Sequence, residues 1–265
     1  MHDAHFSFPE PLGAFGFSSS KTGGHMARSS MLSELQVLLA STGSKTLTEF
    51  RRAIEEENAL SKPTVSSRQK SFRHLVELYG LDASKALFRV LLRFAALAPS
   101  SVPLLALVCV YCRDPQLRTS FSLLERTSLG TVIPRRLMED HLETHFPNRF
   151  SPAMKQSLAR NVNTTWTVSG HLQGRSTKTR TIPTPSFLAT TYALFAGYLT
   201  GLRGDFLLQS VFCRLVGVNP PQAIDHLKEA SKHGFLRFRH AGGVTEIDFS
   251  PLLNESELSS LHGTA

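Results

Sequence analysis

The chain has 265 residues, 41% of them hydrophobic, enough to build one large domain or several small ones and unlike a disordered polypeptide. Its formal charge of +8 and pI near 9.7 favour a polyanionic partner, a balance that by itself serves nucleic acid, a membrane surface or solubility equally. No apolar run approaches the roughly 18 to 20 residues that span a bilayer, so no membrane partner is expected, and Cys109, Cys112 and Cys213 lie in apolar surroundings that suit reduced thiols in a cytoplasmic protein.

In chain order, residues 1–29 carry Gly, Ser, Pro and Phe and lack the basic-then-apolar pattern of a secretory signal. They read as a disordered arm, with Met26 or Met31 as alternative starts. Residues 30–80 read as a helix-turn-helix domain. Leu32, Leu35, Leu38 and Leu39 fall on one side of a helix over Ser30 to Ser41, capped by Ser30 or Ser33 and stopped at Gly43, and Leu47, Phe50, Ala53 and Ile54 do so over Thr46 to Asn58. Pro63 breaks the chain and Ser61 or Thr64 caps a third helix running to Tyr79, closed by Gly80. On that third helix Val65, Phe72, Leu75, Val76 and Tyr79 share one face. Ser67, Arg68, Lys70, Ser71 and His74 occupy the other sides, with Arg73 beside them, as donors suited to phosphates and base edges. An ordinary two-helix corner with a solvated basic face fits the same residues.

Residues 81–168 read as a helical middle domain of about five helices. These are Ala83 to Ala98, Pro103 to about Cys112, Gln116 to Arg126, Pro134 to Phe146, and a segment opened by Ser151 and Pro152 that carries Met154, Leu158, Val162 and Trp166. Cys109 and Cys112 form a CxxC, but the run around them reads as the end of a buried helix and no second pair stands near it. Residues 169–184 (SGHLQGRSTKTRTIPT) form a basic loop of flexible composition. Residues 185–253 bring three helices, Pro185 to Gly201, Asp205 to Leu215 and one opened by Asn219, followed by two short strands around Gly242 and Gly243. Three helices and a hairpin is the winged-helix order, and residues 254–265 remain as a tail.

The charge distribution carries most of the functional reading. No Asp or Glu occurs from Thr144 through Gly204, a span of 61 residues, where the average for the chain would place about five. Arg149, Lys155, Arg160, Arg175, Lys178, Arg180 and Arg203 lie within it. Three of them stud the 169–184 loop, as in a phosphate-contacting loop or a solvated linker. In the winged helix the expected recognition helix carries Asp225 and Glu229, which phosphate would repel, while Arg237, Arg239 and His240 on the hairpin suit a backbone or minor-groove contact. No phosphate-binding Walker loop, GxGxxG, GxSxG or HExxH is present, so no enzyme, cofactor or small-molecule substrate is expected. His141 and His145 are spaced to share a metal, but no third ligand accompanies them, and no metal is expected either.

The order of elements resembles the BrxA-type proteins of bacterial BREX phage-defence systems. The likeness rests on Arg51 to Tyr79 (RRAIEEENALSKPTVSSRQKSFRHLVELY), Cys112 to Arg118 (CRDPQLR), Ser151 to Val162 (SPAMKQSLARNV) and the closing winged-helix pattern, and spans most of Leu32 to Leu253. It implies a mainly α, non-enzymatic protein of the cytoplasm that binds double-stranded DNA, possesses a helical middle domain like that of the antitermination factor NusB, and works beside other BREX components. The expected contacts are Ser67, Arg68, Lys70, Ser71, Arg73, His74, Lys155, Arg160, Arg175, Lys178, Arg180, Arg237 and Arg239. RNA binding by the helical middle domain, and a protein-interaction adaptor or transcriptional regulator built on the winged helix, are the other readings of these residues.

Overall fold

A helix that is apolar on every side is stable in water only when other elements cover it. Two segments have that character, α5 (Val102–Tyr111) and α9 (Phe187–Leu199), and both lie at the centre: all of α5 except Pro103 and all of α9 after Phe187 are buried. The computed structural model describes residues 8–21, 23–40 and 46–262. Around the central pair, α4 (Ala86–Leu97) packs on both, while α1 (Leu32–Ala40), α3 (Val65–Tyr79) and α6 (Pro115–Arg126) cover α5. The short α10 (Gly204–Leu208) and α11 (Val211–Leu215) cover α9 together with α12 (Pro220–Lys232). On the outside, α2 (Leu47–Glu55) lies on α3, and α7 (Arg135–His145) packs against α6 and α8 (Pro152–Val168). The chain is thus mainly helical, and its buried apolar residues form one cluster from Phe8 to Leu261. Polar groups on the central helix α9 are paired: Tyr192 donates to the carbonyl of Leu87, Thr191 to that of Phe187, and Thr190 meets the ring of His226.

Helix starts fall where capping residues precede Pro or a run of helix formers. Thr46, Thr64, Asp114, Ser151, Ser186 and Asn219 each accept a hydrogen bond from a backbone N–H in the first turn that follows. Two antiparallel hairpins complete the fold. In the first, β1 (Leu172–Gln173) pairs with β2 (Thr179–Arg180). In the second, β3 (Arg237–Ala241) pairs with β4 (Val244–Asp248) across Gly242 and Gly243, both in the left-handed region that this two-residue turn needs.

Several expectations change. The arm taken as disordered is, over residues 8–21 and 23–29, part of the packed structure; residues 1–7 lie outside the described residues. Phe8, Phe15 and Phe17 are buried, with Phe8 against Phe17 edge to face at 4.8 Å and the Arg118 guanidinium over the Phe8 ring. Its aromatic residues give it the apolar area that its Gly and Ser content obscures. The 169–184 loop is a built hairpin, because residues 130–133 add to its edge through Gly130 N to the Arg180 carbonyl, Arg180 N to the Thr131 carbonyl and Ile133 N to the Lys178 carbonyl. The expected second helix of the C-terminal unit divides at Ser210, whose extended backbone separates α10 from α11. In the tail, α13 (Glu255–His262) is tied down by Leu261 in the core and by a Glu257 to Arg89 ion pair. The expected stop of the first helix, Gly43, lies outside the described residues.

Candidate nucleic-acid interface

Helix α3 exists because fifteen residues without Gly or Pro follow a reciprocal cap, in which the Thr64 hydroxyl accepts from the Ser67 N–H and Ser67 Oγ accepts from the Thr64 N–H. Gly80, with a φ of 80°, ends it, and the Arg113 side chain donates to the carbonyls of Glu77 and Val76 in its last turn. At about 100° per residue, the predicted contacts on this helix separate. Lys70 and Arg73 stand exposed on one face with Ser66, Gln69 and Glu77. Ser71 faces the core and is buried. Arg68 falls between Phe72 and Leu75, so its stem lies on the inward side and its Nε is buried without a hydrogen-bond partner. Ser67 has its hydroxyl committed to the cap. His74 sits on the flank, half-buried, with Nδ1 3.8 Å from the Glu77 carboxylate. Burial lowers its pKa, the Glu77 carboxylate opposes that, and the charges of Arg28 and Arg73 add to the lowering.

The α3 face therefore loses Ser71, keeps Arg68 only in part, and gains two cations from neighbouring elements. Arg28 comes in on the arm, near enough for its charge to lower the His74 pKa. Arg51 comes from α2, its guanidinium laid over the Phe72 ring at 5.0 Å. Nothing in the periodicity of α3 points to either, since both depend on how another element packs. Gln69 was legible from its position on the helix, four residues before Arg73, but an uncharged side chain does not stand out in a count of cations. Lys70 and Arg73 form no ion pair with a carboxylate among the described residues, although Glu77 shares their face and Glu55 lies across the groove from them.

The acid-free span is divided as well. Arg160 is exposed on α8 and holds Ser157 Oγ at 3.0 Å. Lys155 is engaged by Glu143 at 3.0 Å, the last acid before the span begins. At the tip of the first hairpin Arg175 is exposed and Lys178, half-exposed, donates from Nζ to the Gly174 carbonyl. Arg180 is a correction. Alternation along β2 turns it inward, it is buried, and its guanidinium donates to the carbonyls of Leu124, His171 and Thr181. It fastens the hairpin to the end of α6 and is not available to a phosphate. On the second hairpin Arg237 pairs with Asp248 at 3.1 Å and Arg239 faces Glu246 at 3.8 Å, each across the strands. On α12, Asp225 pairs with Lys228, and Glu229 with Lys232 and His233. Four acids and four Lys or Arg residues lie in 220–248, so this unit presents no net charge apart from its histidines.

Two other clusters have the residue types of a chemical site. His25 Nδ1 is 2.9 Å from Asp114 Oδ2 and His25 Nε2 is 2.7 Å from Thr165 Oγ1, the order acid, imidazole, hydroxyl. All three are buried, Thr165 Oγ1 also accepts the Ser30 N–H, and Gly23 lies so close that a Cβ there would come within 2.1 Å of the Asp114 carboxylate. Its bonds tie the arm to α6 and α8. Burial raises the Asp114 pKa, but the His25 charge and the bonds from the His25 ring, the His25 amide and the Leu117 amide outweigh it and hold the carboxyl below its ordinary value. In the other cluster, His141 reaches the Thr119 carbonyl, Ser122 and Arg126, and His145 donates to the His141 carbonyl. Among the described residues no three His, Cys, Asp or Glu side chains are placed to hold a metal ion. Cys109, Cys112 and Cys213 are free and buried, and burial pushes the Cys109 thiol up to about 11 and Cys213 up to about 12. No helix among the described residues is long and apolar enough to cross a membrane.

No known protein family, curated protein or solved structure matches the chain.

Proposed function

We propose that this chain binds double-stranded DNA without marked sequence preference, through the exposed face of α3. The observation that carries the reading is that face itself. A capped helix presents Ser66, Gln69, Lys70 and Arg73 to solvent, two cations without carboxylate partners and two neutral donors, and Arg28 and Arg51 flank it. Cations of this kind release counterions from a phosphate backbone, and Ser and Gln add hydrogen bonds. Arg160 and the tip residues Arg175 and Lys178, all within the acid-free span, are the further phosphate contacts. The connection from α2 to α3 runs over nine residues, 56–64, longer than the turn of three or four residues in a compact helix-turn-helix, so α3 acts as a helix laid on the duplex more than as a rigid reader of bases.

In this reading α9 to α12 and the second hairpin are the winged helix, with α11 and α12 joined across the four residues 216–219. Its paired charges make it a packing or protein-docking module. The helical layer of α4 to α8 corresponds to the NusB-like middle unit. The protein is then a non-enzymatic accessory of a BREX-type phage-defence system, and its free thiols suit the reducing cytoplasm.

A salt titration of duplex binding tests this. Seven contacts, Arg28, Arg51, Lys70, Arg73, Arg160, Arg175 and Lys178, correspond to a slope of log K against log salt of about −6. Lys70→Ala with Arg73→Ala makes the slope shallower by about two and weakens binding at all sequences alike. An unchanged slope removes the α3 assignment, and equal competition by an RNA duplex of the same length removes the preference for DNA.

A further inference from the structure

The groove between α2 and α3 combines features that phosphate binding alone leaves unused. Phe72 and Val76 form its floor, Leu47 forms one lip with 38% of its surface exposed, and Arg51, Lys70 and Arg73 form the rim around a volume of about 550 Å³. Glu55 is the one acid lining it. Stacking on Phe72 holds the Arg51 guanidinium at the rim, so its charge is in place before anything binds. A phosphodiester backbone complements the three cations but offers nothing to Leu47 and Val76. An amphipathic helix complements both: apolar residues at positions i, i+3 or i+4, and i+7 fill such a groove, and acidic residues beside them meet the rim.

We propose that the α2–α3 groove docks an acidic amphipathic helix of a partner protein, its apolar stripe on Leu47, Phe72 and Val76 and its carboxylates on Arg51, Lys70 and Arg73. The size of the groove lies within the ordinary range of sites that enclose a ligand, roughly 300 to 1,000 Å³. The proposal stands apart from the DNA reading, although Arg51, Lys70 and Arg73 take part in both.

The test uses the full chain, without nucleic acid, at near-physiological salt, and a fluorescein-labelled peptide of Leu, Ala and Glu with leucines at helical spacing. A scrambled peptide of the same composition and charge is the control. Anisotropy is expected to show the ordered peptide binding at least tenfold tighter than the scramble. Leu47→Gln, at the exposed first position of α2, is expected to weaken the ordered peptide about fivefold, the effect of removing roughly one buried apolar contact, and to leave duplex binding unchanged. Lys70→Glu with Arg73→Glu is expected to weaken it at least tenfold. Amide chemical shifts of the wild-type protein are expected to move on α2 and α3 when the ordered peptide is added. Equal binding of the scramble, indifference to Leu47→Gln, or shifts confined to other elements would each overturn the proposal. Because no nucleic acid is present, any of these results leaves the DNA reading where the salt titration puts it.

Discussion

Replacing His25 with alanine is expected to destabilise the whole protein, although the residue lies in a segment whose composition suggests a dispensable arm. The substitution removes the ring that meets Asp114 Oδ2 at 2.9 Å and Thr165 Oγ1 at 2.7 Å. The carboxylate stays 1% exposed, retaining only the amide hydrogens of residue 25 and Leu117. Removing one member of a buried pair costs about 3 to 5 kcal/mol, because the remaining charge is left uncompensated. That is a large share of a total stability of about 5 to 15 kcal/mol. Urea denaturation followed by circular dichroism should show the midpoint falling with little change in slope. Asp114→Asn, which keeps an acceptor for the α6 cap but discards the charge, should cost less, and the double variant should cost less than the sum of the two. The pH dependence has a definite sign. The Asp114 pKa is lowered in the folded state, so its contribution is complete above the unfolded value near 3.8 and is lost as the pH falls through the folded value below it. Asp114→Asn should remove that acid-side component. A His25→Ala variant within about 1 kcal/mol of wild type would refute the claim that this pair fastens the arm.

Arg180→Ala is expected to destabilise by about 2 kcal/mol or more, since the buried carbonyls of Leu124 and His171 and the part-buried carbonyl of Thr181 lose a charged donor, while duplex affinity per folded molecule, measured by anisotropy, stays within about twofold. Arg237→Ala and Arg239→Ala should each change the salt slope by less than Lys70→Ala or Arg73→Ala, because Asp248 and Glu246 already face those two arginines. The thiols of Cys109, Cys112 and Cys213 should resist a thiol reagent at pH 8 in the native protein and react on unfolding, because burial and raised pKa values keep thiolate scarce; rapid labelling of the folded chain would contradict the packing of α5. Removing residues 1–25 should expose the apolar surface beneath Phe8, Phe15 and Phe17 and lower the thermal midpoint by more than 10 °C, whereas an unaltered melting curve would show that the arm adds nothing to the core.

Local features of this chain are readable without coordinates because they act over a few residues. Thr64 followed by Ser67, Ser151 followed by Pro152, and Asn219 followed by two prolines mark helix starts by chemistry that needs no distant partner. The all-apolar α5 and α9 announce burial, and Gly242 with Gly243 announces the second hairpin. The division of charge on α3 follows from helical geometry alone for Lys70 and Arg73.

What a cation does is settled by what packs against it. Arg175 and Arg180 sit five residues apart in one Gly, Ser and Thr-rich stretch with the same formal charge, yet the first is exposed at a hairpin tip and the second spends its guanidinium on three carbonyls inside the protein. Arg237 and Arg239 look available until β4 brings Asp248 and Glu246 across from them. Arg28 and Arg51 look incidental until the arm and α2 place them beside α3. The arm itself is the clearest case. Periodicity cannot find a segment with no regular period, and it is ordered by contacts 89 and 140 residues away in sequence, His25 with Asp114 and with Thr165. Composition and spacing determined most of the helices and where they begin, but not the break at Ser210 or the tail helix α13; the tertiary structure decided which charges remain free, because neutralising a charge or burying an aromatic ring depends on neighbours that lie far off along the chain.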